Sequence, residues 1–363
     1  MNILLAADVD GAVGGINIWA KHIYDYSKGQ DEINIDTAPD KRKDFTHFTS
    51  SSIKRILDGI HVYVRYVNRI RRLLSEKQYD VLHIPSSASL GLIRDYCLIK
   101  LAKRKHTSAV LHFHFGRIPV LSEKKNWEWK LLCKVSRMAD YVIVLDQKSY
   151  ITLNKAGIAS VTKLPNPIST EVVEQIEKCD VGAKNKNEVL YVGQCYQQKG
   201  IFDLLEACKN ISDVKIKYVG SISEDVKGEL IDLAGDQVNI EIAGLKPYSQ
   251  IVPEMKKCSV FVLPSHSEGF PNVILESMAC GCAIVATQVG AIPEMLNAES
   301  GTPCGLCVEP KDTQRLTNAI QTMLEDQDFA RACGERAKER VNQCYSMQKV
   351  WYDLVNIWKN SRK

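Results

Sequence analysis

The sequence predicts an α/β protein made of two doubly wound parallel sheets, and two observations carry that expectation. Short apolar, β-branched runs alternate with longer amphipathic stretches throughout the chain. That is the rhythm of repeated βα units with helices on both sheet faces. The rhythm breaks once, at Leu164-Pro165-Asn166-Pro167-Ile168, and restarts after the polar stretch Cys179–Asn187. Paired prolines bias their neighbours away from helix, so a domain boundary is expected there. Length agrees, because 363 residues at roughly 150 per domain divide most naturally into two.

The strand candidates of the first half are Asn2–Ala7, Val81–Ile84, Ala109–Phe115 and Tyr141–Leu145. Those of the second half are Glu188–Gly193, Lys215–Gly220, Asn239–Ala243, Val260–Leu263, Ala283–Ala286 and Gly305–Val308. Several are apolar almost throughout, as strands covered on both faces must be. Helices are expected over Ile53–Ser75, Phe202–Asn210 and Pro271–Ala279. The expected domains are 1–166 and 167–344, with a C-terminal helix, 345–363, folding back on the first domain. Ligands of doubly wound sheets bind at the carboxyl ends of strands. The chemistry is therefore expected on loops that follow strands, in a cleft between two facing domains.

Composition narrows the classes. No run approaches about 18 consecutive apolar residues, so no membrane-spanning helix is expected. Met1–Asp8 lacks a basic leader and reads as a first strand, which points to the cytoplasm. Cys304-Gly305-Leu306-Cys307 and Cys280-Gly281-Cys282 have the spacing of metal or redox pairs. They lie beside strand-like runs with no histidine near, and read as small buried side chains. Residues 1–166 hold 26 Lys and Arg against 16 Asp and Glu, whereas the remainder holds 21 against 27. The first domain is therefore basic. Its clusters at Lys41–Lys43, Arg65–Arg72 and Lys100–Lys105 suit an anionic surface such as a membrane inner leaflet presenting a lipid-linked acceptor. A merely solvated basic face is the alternative. No nucleic-acid-binding motif stands out.

Four motifs carry chemistry. In Leu263-Pro264-Ser265-His266-Ser267-Glu268-Gly269-Phe270-Pro271-Asn272-Val273-Ile274-Leu275-Glu276, a buried strand ends in a loop and a helix opens at Pro271. The amides of Phe270, Asn272 and Val273 would stand unpaired at that helix start, an anion site suited to a diphosphate. Glu268 and Glu276 are carboxylates able to accept from paired sugar hydroxyls. Val273, Ile274 and Leu275 give Glu276 an apolar setting. The second motif, Tyr191-Val192-Gly193-Gln194-Cys195-Tyr196-Gln197-Gln198-Lys199-Gly200, places the cation Lys199 within reach of a diphosphate. The third, Asp8-Val9-Asp10-Gly11-Ala12-Val13-Gly14-Gly15-Ile16, opens a helix with two glycines that allow close backbone approach. In the fourth, Leu111-His112-Phe113-His114-Phe115-Gly116, alternation puts His112 and His114 on one strand face.

The Glu-x7-Glu pattern in a strand–loop–helix context resembles the retaining glycosyltransferases of family 4, the "group 1" family with the GT-B fold. Gly281–Thr287, Gly290-Ala291-Ile292-Pro293-Glu294 and Gly305–Pro310 resemble it too. The similarity is dense from about Glu188 to Val308 and looser before that. The resemblance implies transfer of a hexosyl group from a UDP- or GDP-sugar to a glycan or lipid-linked acceptor, with retention and without metal or other cofactor. Cell-surface polysaccharide assembly follows by analogy. It implies that Glu276 holds ribose hydroxyls and that Glu268 faces the donor sugar. The loop Gly269-Phe270-Pro271-Asn272-Val273 would hold sugar and phosphate. Gly14 and Gly15 would approach the donor phosphate. His114, nearer the strand end than His112, would face the sugar. Catalysis is thus expected from His114, Lys199 and Glu268. The family carries Arg where this chain has Gln194, so one of two expected cations is missing, and Arg117 is a candidate substitute. Asp8-x-Asp10 has the form of metal pairs in the other glycosyltransferase fold, but the two-domain pattern argues against that reading. A non-catalytic sugar-nucleotide-binding subunit and a GT-B epimerase are the alternatives.

Overall fold

The computed structural model of the chain describes residues 1–11, 14–38 and 52–362, the side chains of 52–61 excepted. The cluster Lys41–Lys43, together with Ala12 and Val13, lies outside the described residues. The chain divides into two compact units, Met1–Pro165 with Val350–Lys363, and Asn166–Lys349. The boundary thus falls at Pro165, and the C-terminal segment rejoins the first unit at Val350 rather than Tyr345.

The first unit holds a six-stranded parallel sheet of β1 (Asn2–Leu5), β2 (Asn34–Thr37), β3 (Val81–Ser86), β4 (Ser108–Phe113), β5 (Tyr141–Val144) and β6 (Val161–Lys163). Their order is β2-β1-β3-β4-β5-β6. β3 is buried at all its positions because helices cover both faces. β2 and β6, absent from the expected strands, are short polar edge segments defined by pairing with β1 and β5. β4 ends at Phe113, so His114 lies on the loop beyond it, whereas alternation placed both histidines on the strand.

Helix Ser52–Glu76 shows why amphipathic spacing fixes a face. Tyr66, Ile70 and Leu74, four residues apart, are buried in the core. Arg65, Arg69, Arg71 and Arg72 stay on the exposed side. Helix Met347–Ser361 buries Val350, Leu354 and Trp358 in the same unit. Ser108 Oγ donates to the Ser361 carbonyl, and Arg362 pairs with Asp80 at 2.9 Å.

The second unit holds β7 (Glu188–Val192), β8 (Lys215–Val219), β9 (Asn239–Gly244), β10 (Val260–Leu263), β11 (Ala283–Thr287) and β12 (Leu306–Val308). Their order is β12-β11-β10-β7-β8-β9, all parallel. β7 starts the chain's path in this sheet and sits beside β10, so connections leave these neighbours in opposite directions. Such a switch point opens a crevice at the strands' carboxyl ends. Cys280, Cys282 and Cys304 are buried around this sheet. Cys258 and Cys282 both donate to the Met255 carbonyl, at 3.2 and 3.1 Å.

Ile70→Ala is expected to cost about 2–5 kcal/mol in urea unfolding, the range for a buried aliphatic truncation. Arg69→Ala, on the outer face of the same helix, is expected to stay within about 0.5 kcal/mol of wild type. Equal costs would contradict the assigned faces.

Candidate functional site

The loops after β7 and β10 meet at the switch point of the second unit. Lys199 closes the short helix Gln197–Lys199 and donates to Glu268 Oε1 at 2.6 Å. The two side chains retain only 22% and 12% of their exposure, so the pair is largely screened from water. Two further bonds tie the loops together. His266 N–H donates to the Gln198 carbonyl at 2.9 Å, and His266 Nε2 lies 2.5 Å from the Asp203 carboxylate.

Two glycines make this closeness sterically feasible. Gly200 has φ +71°, and a Cβ there would lie 2.0 Å from the Pro264 carbonyl oxygen. Gly290 has φ +56°, and its Cβ would lie 2.4 Å from the Glu268 carbonyl oxygen. The following amide, Ala291, donates to the Gly269 carbonyl at 2.9 Å and supports the loop from below.

Helix Asn272–Ala279 begins one residue later than expected, with Pro271 as its N-cap in extended conformation. Pro271 is fixed in φ and has no N–H to satisfy, so it ends the loop and no side chain caps the helix. The amides of Phe270, Asn272 and Val273 have no hydrogen-bond partner among the described residues. Phe270 is buried with its ring 5.8 Å from that of Tyr345, which anchors the loop.

Glu276 lies one turn into that helix. The residue keeps some accessible surface, but its carboxyl is enclosed, and burial pushes it up to about 7 against an opposing pull from Tyr248. The Tyr248 hydroxyl is buried beside it without a hydrogen bond of ordinary geometry. Burial, followed by the Glu276 charge, raises the phenol far above its usual range. Gln194 is exposed at the end of β7, and its carbonyl accepts from Tyr191 Oη at 2.8 Å. A cavity of about 280 Å³ opens nearby at the ends of β8 and β9, lined by Gly220, Ser221, Ile222, Ile242, Gly244 and Leu245. Neither it nor Tyr248 carried a motif in the sequence. Only their place after strands pointed to them.

In the first unit, Gly14 is the N-cap of helix Gly15–Ser27, and both glycines are exposed. A Cβ at either would meet no described atom within 4 Å, so packing does not demand glycine there. Asp8 Oδ1 accepts from the Asp10 amide at 3.2 Å and closes the preceding turn.

His114 stacks against His112 with ring centroids 3.9 Å apart, and Trp19 lies 4.7 Å away. Burial pushes His114 down to about 3, so its imidazole is neutral near pH 7. His112 and His83 are wholly buried beneath it. His83 was not singled out in the sequence; its signal was a histidine in a strand otherwise apolar.

Arg117 is engaged by Glu128 at 2.7 Å and by the Ser89 hydroxyl at 2.9 Å. Burial alone would raise Glu128, but bonds from Arg117 and from the Ser89 amide and hydroxyl hold it below the usual range. This network joins the loops after β3 and β4 to the start of helix Trp127–Met138.

Residues 174–340 match the model of "Glycosyl transferases group 1", and residues 36–172 match that of "Glycosyltransferase Family 4". The chain belongs to the group 1 glycosyltransferases. A capsular polysaccharide biosynthesis glycosyltransferase of Staphylococcus aureus, CapM, is 29% identical over 185 residues, 49% of this chain and 48% of CapM. The chain thus spans about half the length of this curated relative. Sucrose-phosphate synthase from Thermosynechococcus elongatus superposes with a TM-score of 0.77 at 19% identity, covering 99% of this chain and 98% of that one. Anabaena HepE in complex with UDP superposes with a TM-score of 0.73 at 19% identity, covering 98% and 99%. Both likenesses show the fold, which is GT-B with two Rossmann-like units.

The Glu276 shift makes a stability prediction for this family member. A carboxyl raised from 4.5 to about 7 on folding binds its proton more tightly in the folded state. Its contribution is therefore lost as pH rises from about 4.5 through 7. Glu276→Gln should melt several degrees above wild type at pH 8, by up to about 3 kcal/mol, and show little of that gain at pH 5. A gain of equal size at both pH values would contradict the enclosed carboxyl.

Proposed function

We propose that the chain moves a hexosyl group from a nucleotide diphosphate sugar, UDP- or GDP-linked, to a hydroxyl of a glycan or lipid-linked acceptor, with retention. The observation that supports this best is the gathering at one switch point of Lys199, Glu268, three unpartnered amides and the enclosed Glu276. That set matches the parts of the donor: a diphosphate, sugar hydroxyls and a ribose diol. HepE, of the same fold, was solved with UDP.

In this reading the acceptor oxygen bonds to the anomeric carbon as the bond to the diphosphate oxygen breaks. The acceptor's proton passes to the departing phosphate, on the same face. Positive charge develops on the sugar ring and negative charge on the leaving group. Lys199 and the amides of Asn272 and Val273 serve that negative charge; for the amides of Gly14 and Gly15, a role toward the donor phosphate rests on the family resemblance alone. Glu268 accepts from sugar hydroxyls. Neutral His114 faces the sugar, and no protein nucleophile or metal takes part. Exposed Gln194 supplies no charge. Among the described residues of the second unit's loops after β7 and β10, Lys199 is the cation placed for this role, in a pair with Glu268 that an arriving diphosphate would share.

The first unit takes the acceptor. The segments that the Ser89–Arg117–Glu128 network ties together carry the exposed apolar residues Leu90, Ile93, Val120 and Trp127. Exposed Lys124, Lys125 and Lys130 lie beside them. Exposed apolar side chains with lysines close in sequence suit the interface of an anionic bilayer. No helix among the described residues is long and apolar enough to cross a membrane. The place of work is therefore read as the inner face of the cell membrane, in surface polysaccharide assembly like that named for CapM.

Release of nucleoside diphosphate from UDP-, GDP- and ADP-sugars tests the reaction. Wild type should turn over one nucleotide class in the presence of acceptor. His114→Ala should lower kcat and leave donor affinity near wild type; the reverse pattern would refute its role. Donor affinity should rise between pH 6 and 8 as Glu276 ionises, and this dependence should vanish in Glu276→Gln. Vesicles containing anionic lipid should sediment the wild type, and Trp127→Ser should weaken that binding about tenfold, the loss of one interfacial aromatic. Binding indifferent to lipid charge would contradict the membrane assignment.

A further inference from the structure

We infer that the C-terminal helix fixes the proton positions of the histidine stack beneath His114, which makes Trp358 and His83 positioning residues for that side chain. This rests on the reading of His114 as the histidine that faces the donor sugar. An indole N–H can only donate. Trp358 Nε1 lies 3.0 Å from His83 Nδ1, so Nδ1 must carry a lone pair. The proton of a neutral His83 is then on Nε2, which lies 3.3 Å from His112 Nδ1. His112 Nδ1 therefore accepts, and the proton of a neutral His112 is confined to its own Nε2. Each bond dictates the next, and the direction is set by the one group in the chain that cannot reverse.

The surroundings keep that order. His83, His112 and Trp358 have no exposed surface, so water offers no alternative partner. Burial holds both imidazoles neutral, with the charge of a protonated neighbour opposing protonation further. Trp19 packs against all three histidines, with centroids 5.2, 4.9 and 4.7 Å from His83, His112 and His114. The stack therefore cannot spread apart without opening the core.

The last ring in the chain lies against His114 at 3.9 Å. His112 Nε2 is buried and without a partner among the described residues, and so is His114 Nε2. A buried, unsatisfied N–H is costly, so nothing local favours it on His112. It is imposed from upstream by Trp358 through His83. Were His83 to change tautomer, His112 would lose its acceptor role, and the dipole it presents to His114 would reverse. The helix that returns from the far end of the chain thus sets the field at the candidate catalytic imidazole, across 275 residues of sequence.

The test reads the proton positions directly. Histidine labelled with ¹⁵N in the full-length protein gives the tautomer of each ring from long-range ¹H–¹⁵N correlation spectra. Wild type should show His83 and His112 both neutral and protonated on Nε2. Trp358→Phe keeps a ring but removes the donor, and should release His83 toward the Nδ1–H form. In donor turnover, Trp358→Phe should lower kcat on the order of tenfold with donor affinity near wild type. His83→Gln, whose amide can accept from Trp358 and donate to His112, should retain most of the rate. His83→Leu should not. An Nδ1–H form of either histidine in the wild type would overturn the inference. So would unchanged kcat in a folded Trp358→Phe or equal loss in both His83 variants. Absence of turnover in the wild type with every sugar nucleotide would overturn the reading of the site as a transferase and, with it, the positioning role. The tautomers would then test the hydrogen-bond chain alone.

Discussion

The Lys199–Glu268 ion pair spans the point where the second sheet changes direction, and the arrangement of the site follows from it. The two residues arrive on loops after β7 and β10, strands that are adjacent in the sheet but 69 residues apart in their charges. Screened from water, neither charge is comfortable without the other. Gly200 and Gly290 are where backbone must give way for the loops to approach. The same loop then runs through Pro271 into a helix whose first amides point outward for want of a cap. In the proposed reaction a diphosphate arriving there would offer Lys199 a second anion and leave Glu268 free to accept from hydroxyls. One constraint, the parallel-sheet switch point, thus serves cation, carboxylate and helix start together.

The second unit was largely legible because its signals are local. Apolar runs mark β7 and β10, Pro271 marks the end of the loop, and the apolar neighbours of Glu276 foretold an enclosed carboxyl. What sequence reading missed was non-local. β2 (Asn34–Thr37) and β6 (Val161–Lys163) are strands only because β1 and β5 pair with them. Helix Asn272–Ala279 starts after Pro271 because the proline ends the extended loop rather than joining the first turn.

The first unit shows the same division more sharply. Alternation identified His112 and His114 as companions, but the strand stops between them, leaving one in the core and the other on the loop. His83 looked like an ordinary strand residue, since its partner Trp358 lies on the C-terminal helix. Arg117, read as a candidate second cation, is neutralised by Glu128, a pairing that depends on how two loops and a helix start converge. Gly14 and Gly15 stand in open space, so their smallness is not explained by the unit's own packing.

The proposed transfer requires the switch-point loops of the second unit to form a nucleotide-diphosphate site. Calorimetric titration of the full chain with UDP and GDP, wild type beside Lys199→Ala and Glu276→Ala, tests this most directly. Binding of one nucleotide by the wild type, weakened at least about tenfold by each substitution in a folded protein, is the predicted result. Binding unaffected by both substitutions, or no binding of either nucleotide, would contradict it.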